Sequence, residues 1–126
     1  MNTEKIIFAF FIILAMTLNF GFFLGDIENV SHHHIYELYA AIIVSIIATI
    51  LKLGDRSQLG AVVLASSLVA DIQLILAAAI WLLATQGDAT ITGSTMASIV
   101  SLSGGALIAN LVSVILLITE TSLTKR

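Results

Sequence analysis

Four long apolar runs, separated by short polar loops, restrict what this sequence can fold into. They cover about 6–24, 35–53, 59–84 and 96–119. Roughly 20 apolar residues in an α-helix cross the hydrocarbon core of a bilayer. The expected fold is therefore all-α, a polytopic membrane protein with four transmembrane helices over about 5–25, 35–53, 58–84 and 95–119. Together they make one transmembrane domain spanning 1–126. Composition agrees with this. The chain is 59% hydrophobic and 10% charged, whereas a soluble domain is nearer half apolar and a quarter charged. So few charges cannot cover a water-exposed surface, and 126 residues spent on four spans leave no room for a separate soluble domain. A cleaved signal peptide is the other reading of the first run. That run is too long for one, and no small-x-small cleavage pattern precedes Asp26.

The charges fix an expected orientation. Lys5, Lys52, Arg56, Lys125 and Arg126 are all the cations in the chain, and four spans put them on one side. The loops around Asp26 and Asp88 have none. By the positive-inside rule both termini are cytoplasmic. Tyr36, Tyr39 and Trp81 then fall at the outer ends of the second and third helices, where interfacial aromatics belong. An even split of cations would have suggested dual topology, and this distribution argues against it. There is no internal repeat.

Inside the third run stands Asp71, with Gln73 just beyond it. A carboxylate at mid-bilayer costs about 2.5–3.5 kcal/mol on insertion scales, so a helix that carries one turns it toward protein, water or an ion. Two readings compete. In the first, Asp71 is neutral and hydrogen-bonded to Asn19, Asn110 or Ser67, because burial favours the protonated acid. In the second it coordinates a cation or passes a proton. No Lys, Arg or His lies at comparable depth, so an intrachain salt bridge is not expected. At 100° per residue, positions 71 and 73 point roughly 200° apart. If one enters a four-helix bundle, the other faces outward. A symmetric homo-oligomer would give the outward group a partner.

The other helices carry their own patterns. All six Phe lie in the first run, at 8, 10, 11, 20, 22 and 23, which suits a helix on the lipid side of a bundle. Asn19 is expected to make an interhelical hydrogen bond. In the second helix Glu37, Ala41, Ser45, Ala48 and Lys52 share a face. It is either a packing seam with charged ends, or the lining of a pore in which copies of Glu37 ring the outer mouth and concentrate cations. In the fourth helix Ala97, Ser101, Gly105, Ala109 and Ser113 recur every four residues, a stripe that permits close helix contact. An alternative makes 101–105 a local break whose freed carbonyls meet an ion. Ser103 and Asn110, seven apart, share a second polar edge. The candidate ion-pathway residues are thus Glu37, Ser45, Ser67, Asp71, Ser101, Ser103 and Asn110.

His32, His33 and His34, with Asp26 and Glu28 in the same loop, invite a metal or pH-sensing reading. Consecutive residues rarely converge on one ion, so a solvated outer loop is the plainer reading. The chain has no Cys, hence no disulfide, thiol nucleophile or thiolate site. No enzyme motif, cofactor-binding motif or basic nucleic-acid face occurs, and neither an enzyme activity nor a cofactor is expected.

The stretches AAIIVSIIATILKLGDRSQLGAVVLASSLVAD and MASIVSLSGGALIANLVSV resemble an uncharacterised family of small four-span bacterial membrane proteins, over nearly the whole chain. The resemblance implies a bacterial inner-membrane location and no particular activity. In size and span number the chain is also similar to the small fluoride channels. It lacks their Phe-containing filter signature, and its one-sided cations disfavour antiparallel pairing. The leading functional expectation is a small homo-oligomeric channel or channel-like pore, selective for cations if selective. Its partners would be the lipid bilayer, further copies of itself and an inorganic cation. The alternatives are an accessory subunit of a larger membrane complex and a proton-coupled small exporter that uses Asp71.

Overall fold

The computed structural model describes residues 3–24, 34–55, 57–87 and 89–124. These form four helices, α1 (Thr3–Phe23), α2 (Ile35–Lys52), α3 (Gln58–Ala84) and α4 (Gly93–Thr124). Each is long and apolar enough to cross a membrane, so the architecture is that of a multi-pass membrane protein. The shortest, α2 with 18 residues, is about 27 Å long at 1.5 Å per residue, close to the thickness of a bilayer core.

The helices form an antiparallel ring in chain order, each packed on its sequence neighbours, with α1 closing on α4. Cross-helix contacts fix the direction. Lys5 near the start of α1 pairs with Glu120 near the end of α4 at 3.1 Å. Glu37 in the first turn of α2 lies against Gly21 near the end of α1. Ser66 and Ser113 approach to 2.5 Å across α3 and α4. The extension of α4 beyond residue 119 has a local cause. Glu120 reaches Lys5, Leu117 is buried against the core, and the Thr119 hydroxyl donates back to the Ile115 carbonyl.

Between α2 and α3 the chain turns on Asp55, Ser57 and Gly60. The Ser57 backbone N–H and hydroxyl both donate to Asp55 Oδ1, at 2.9 and 2.8 Å. The Ser57 oxygen then caps α3 by accepting from the Gly60 N–H at 2.9 Å. A Cβ at Gly60 would meet the Asp55 carboxylate, which would have to leave its bonds to Ser57 to make room.

The core falls into two apolar clusters. One holds Phe22, Leu38, Leu74, Met96, Ile99 and Val100. The other holds Phe8, Ile12, Ala48, Val63 and Leu117 toward the Lys5–Glu120 end. Large side chains such as Ile43, Ile72, Leu83 and Ile108 point outward, the distribution expected where lipid is the solvent.

Several sequence expectations change here. The Phe residues of α1 divide. Phe8 and Phe22 are buried and Phe23 packs on Gly104, while Phe10 and Phe20 point outward. Residues 101–105 form no break, because α4 is continuous from Gly93 to Thr124. On α2, Ala41, Ser45, Ala48 and Lys52 face the interior of this one chain. Most importantly, the outward stripe of α3 has a partner. α3 lies between α2 and α4, so Asp71 turns to one and Gln73 to the other. The Gln73 amide covers the bare backbone of Gly105, with Nε2 only 2.5 Å from where a Cβ would stand. Both stripes of α3 thus meet helices of their own chain, with Gln73 Oε1 left without a hydrogen-bond partner among the described residues.

Candidate functional site: a polar layer around Asp71

Between the two apolar clusters, α2, α3 and α4 each place polar groups in the bundle. α2 supplies Ser45 and Thr49, α3 supplies Ser67 and Asp71, and α4 supplies Asn110, all of them buried. The placement follows from helical spacing. Ser45 and Thr49 are four apart, as are Ser67 and Asp71, and residues at that interval share a face.

Asp71 is held from α2. Ser45 Oγ donates to Oδ1 at 2.5 Å, and Thr49 Oγ1 donates to Oδ2 at 2.6 Å. Thr49 also lies 3.0 Å from the Ser45 carbonyl. Its single proton can turn there, and the same heavy-atom positions then accommodate a protonated Asp71 that donates to Thr49. The site can hold either form of the acid, and an ionised Asp71 can face a cation. This corrects the expected partners, since the donors are Ser45 and Thr49 rather than Asn19, Asn110 or Ser67. Asn19 is engaged elsewhere and accepts from Ser103 Oγ at 2.6 Å, which is an interhelical bond of the kind expected for it.

Other polar atoms in the interior have no partner among the described residues. They are Ser67 Oγ, Asn19 Nδ2, Gln73 Oε1 and both amide atoms of Asn110. A buried polar atom left unpaired costs about 1–3 kcal/mol. Asn110 therefore stands out, with its donor and acceptor ends both in that condition. Interpolating between the Gln73–Gly105 and Ser66–Ser113 crossings places Asn110 between the levels of Ser67 and Asp71.

Toward the Lys5–Glu120 end the layer leads to charge. Lys52, one turn beyond Thr49, is buried and pairs with Asp55 at 3.1 Å. Its ammonium lies over the Phe8 ring, 4.7 Å from the centroid. Glu4, Lys5, Phe8, Lys52 and Asp55 line a cavity of about 320 Å³. The Ser57 backbone N–H, then its hydroxyl, with help from Lys52, lower the Asp55 carboxyl to a pKa of about 2.

The remaining sequence candidates are distributed as follows. Glu37 is half-buried against Gly21 on the α1–α2 seam of its own chain. Ser103 joins the interior through Asn19, whereas Ser101 is exposed on the outer face of α4. In the small-residue stripe, Gly105 and Ser113 meet α3, Ala109 is buried and Ala97 is half-buried. Tyr36 is exposed, but Tyr39 and Trp81 pack on the core, Trp81 beside Phe22 at 6.2 Å between ring centroids. His34 is exposed at the start of α2, and its carbonyl accepts from the Glu37 N–H at 3.1 Å. His32, His33, Asp26 and Glu28 lie outside the described residues. Thr49 is the site residue that sequence reasoning missed. Its signal was its position four residues after Ser45, on a helix already read as having a polar face.

A family model described as a family of unknown function, DUF6394, matches residues 32–121. The chain belongs to that family. The match includes Ser45, Thr49, Ser67, Asp71 and Asn110, and so contains the whole polar layer. No curated protein and no solved structure matches the chain.

Proposed function

We propose that this DUF6394 protein conducts a small cation across a bacterial plasma membrane, with both termini on the cytoplasmic face. The observation that supports conduction is the layer itself. A carboxyl held by two hydroxyls lies within about a helical turn of Ser67 and Asn110, whose polar ends have no hydrogen-bond partner among the described residues. The one-sided cations support the orientation. Asp71 is the ion-facing group, and the Glu4–Lys52–Asp55 cavity is the cytoplasmic vestibule. The path runs within one four-helix unit. Packing of copies through the exposed Ser98 and Ser101 of α4 would multiply such paths without being needed to create one.

Ion flux from proteoliposomes tests the reading, wild type beside Asp71→Asn. The expected result is cation-dependent flux that the substitution reduces at least tenfold. Absence of flux from folded, inserted wild type would transfer the role to that of an accessory subunit docking through the same α4 face. A proton-coupled exporter would instead show substrate movement driven by a pH gradient and abolished in Asp71→Asn.

A further inference from the structure

An ionised Asp71 sets the polar layer a charge problem that water alone does not solve. Water could satisfy Ser67 and Asn110, but it leaves the charge of an ionised Asp71 without compensation in the low-dielectric interior. Among the described residues no cationic side chain is paired with Asp71, and the nearest along α2, Lys52, is held by Asp55. At 100° per residue Ser67 and Asn110 each lie within roughly 20° of the middle of their helix's buried arc, so both aim at the bundle axis. Both are 0% exposed.

We infer that Asp71, Ser67 Oγ and Asn110 Oδ1 form a binding site for one monovalent alkali cation, with Ser45 and Thr49 holding the carboxylate in place. This inference rests on the proposed conduction and names the ion class. The donor set is all oxygen, which suits a hard cation. It carries one negative charge, which balances a monovalent ion. A divalent ion would leave an uncompensated positive charge at mid-membrane. The hydroxyls of Ser45 and Thr49 fix the two carboxyl oxygens of Asp71 against α2.

Thermal unfolding of the purified protein in detergent tests the site, in NaCl, KCl, LiCl, MgCl2 or CaCl2 against choline chloride at matched ionic strength. The wild type should show a saturable rise in midpoint with at least one alkali cation and none specific to Mg²⁺ or Ca²⁺. Ser67→Ala and Asn110→Ala should weaken the apparent affinity at least tenfold, Asp71→Asn should abolish the response, and Ser101→Ala on the outer face should leave it intact. Asn110→Asp, nearly isosteric, adds a second carboxylate and should turn the preference toward Ca²⁺ or Mg²⁺. Equal wild-type midpoints in choline and every alkali salt would overturn the site, as would a response that follows pH alone. An alkali response untouched by Ser67→Ala and Asn110→Ala would overturn it too. Binding without liposome flux would keep the site and remove the conduction reading. Flux without cation-specific stabilisation would do the reverse.

Discussion

Asp71 receives both of its observed hydrogen bonds from a single neighbouring helix, so α2 and α3 are tied at one depth by two short bonds. Thr49→Val keeps the side-chain volume but deprives Oδ2 of its donor. It should lower unfolding free energy in SDS titration by about 1–3 kcal/mol, the cost of leaving a buried polar atom unpaired. Adding Ser45→Ala and Asp71→Leu to Thr49→Val should recover much of that loss, because removing every member of a buried polar group is far cheaper than removing one. Failure of the triple variant to recover would mean that packing around Thr49, rather than its bond to Asp71, sets the cost. The sequence made part of this legible. A carboxylate in an apolar run had to be turned inward, and Ser45, Ser67 and Asn110 were readable as polar positions on helix faces. The pairing was not readable, because one polar residue on each of several helices is compatible with many rotations. The bond from Ser103 that occupies Asn19 depends on how α1 and α4 meet. Thr49 escaped notice for a related reason, since a Thr among Ile and Ala looks like one more β-branched residue until its neighbour is known.

At the scale of the element, α3 shows how a helix with two polar stripes avoids lipid by lying between two neighbours. Gln73 and Gly105 form the contact on the α4 side. The Gln73 amide is the end of a flexible side chain and can retreat from a small addition, so Gly105→Ala should change stability little. Gly105→Leu must displace the whole side chain, and overpacking of this kind costs about 1–3 kcal/mol. SDS titration of the two variants side by side checks the contrast, and equal stability would remove Gly105 from the α3–α4 seam. The α2–α3 corner has a pH signature. Asp55 has its pKa lowered from 3.8 to about 2, first by the Ser57 N–H and hydroxyl and then by Lys52. A carboxyl lowered on folding contributes stability that is fully present above the unfolded value and is lost as pH falls through the folded one. Protection of the Ser57 and Gly60 amides, measured against their intrinsic exchange at each pH, should therefore fall between pH 3.8 and about 2, and Asp55→Asn should remove that step while lowering protection at neutral pH. A step of the same size in Asp55→Asn would assign it to another group.

For the molecule as a whole, four spans could be read directly from the length of the apolar runs, because bilayer thickness sets helix length. Which face of each helix looks inward could not be read so directly, since lipid and core both accept Leu and Ile. That ambiguity produced the expectation of an oligomeric pore. Polar groups on opposite sides of a helix can be covered by a second subunit or by neighbours in the same chain, and here α2 and α4 flank α3. The two arrangements differ in a measurable way. If the path lies within one unit, each copy conducts alone, and the fraction of liposomes that release cation follows the Poisson probability of holding at least one copy. At low protein-to-lipid ratio that fraction rises linearly with protein, whereas a pore built from n copies rises with about the nth power. Flux measured over a hundredfold dilution series should give a slope of one on logarithmic axes, with the protein uncrosslinked. A slope of two or more would return the path to the space between copies. It would also shift attention from the Asp71 layer to the exposed Ser98 and Ser101 of α4. Wild-type protein serves for this comparison, so its outcome does not depend on any variant folding.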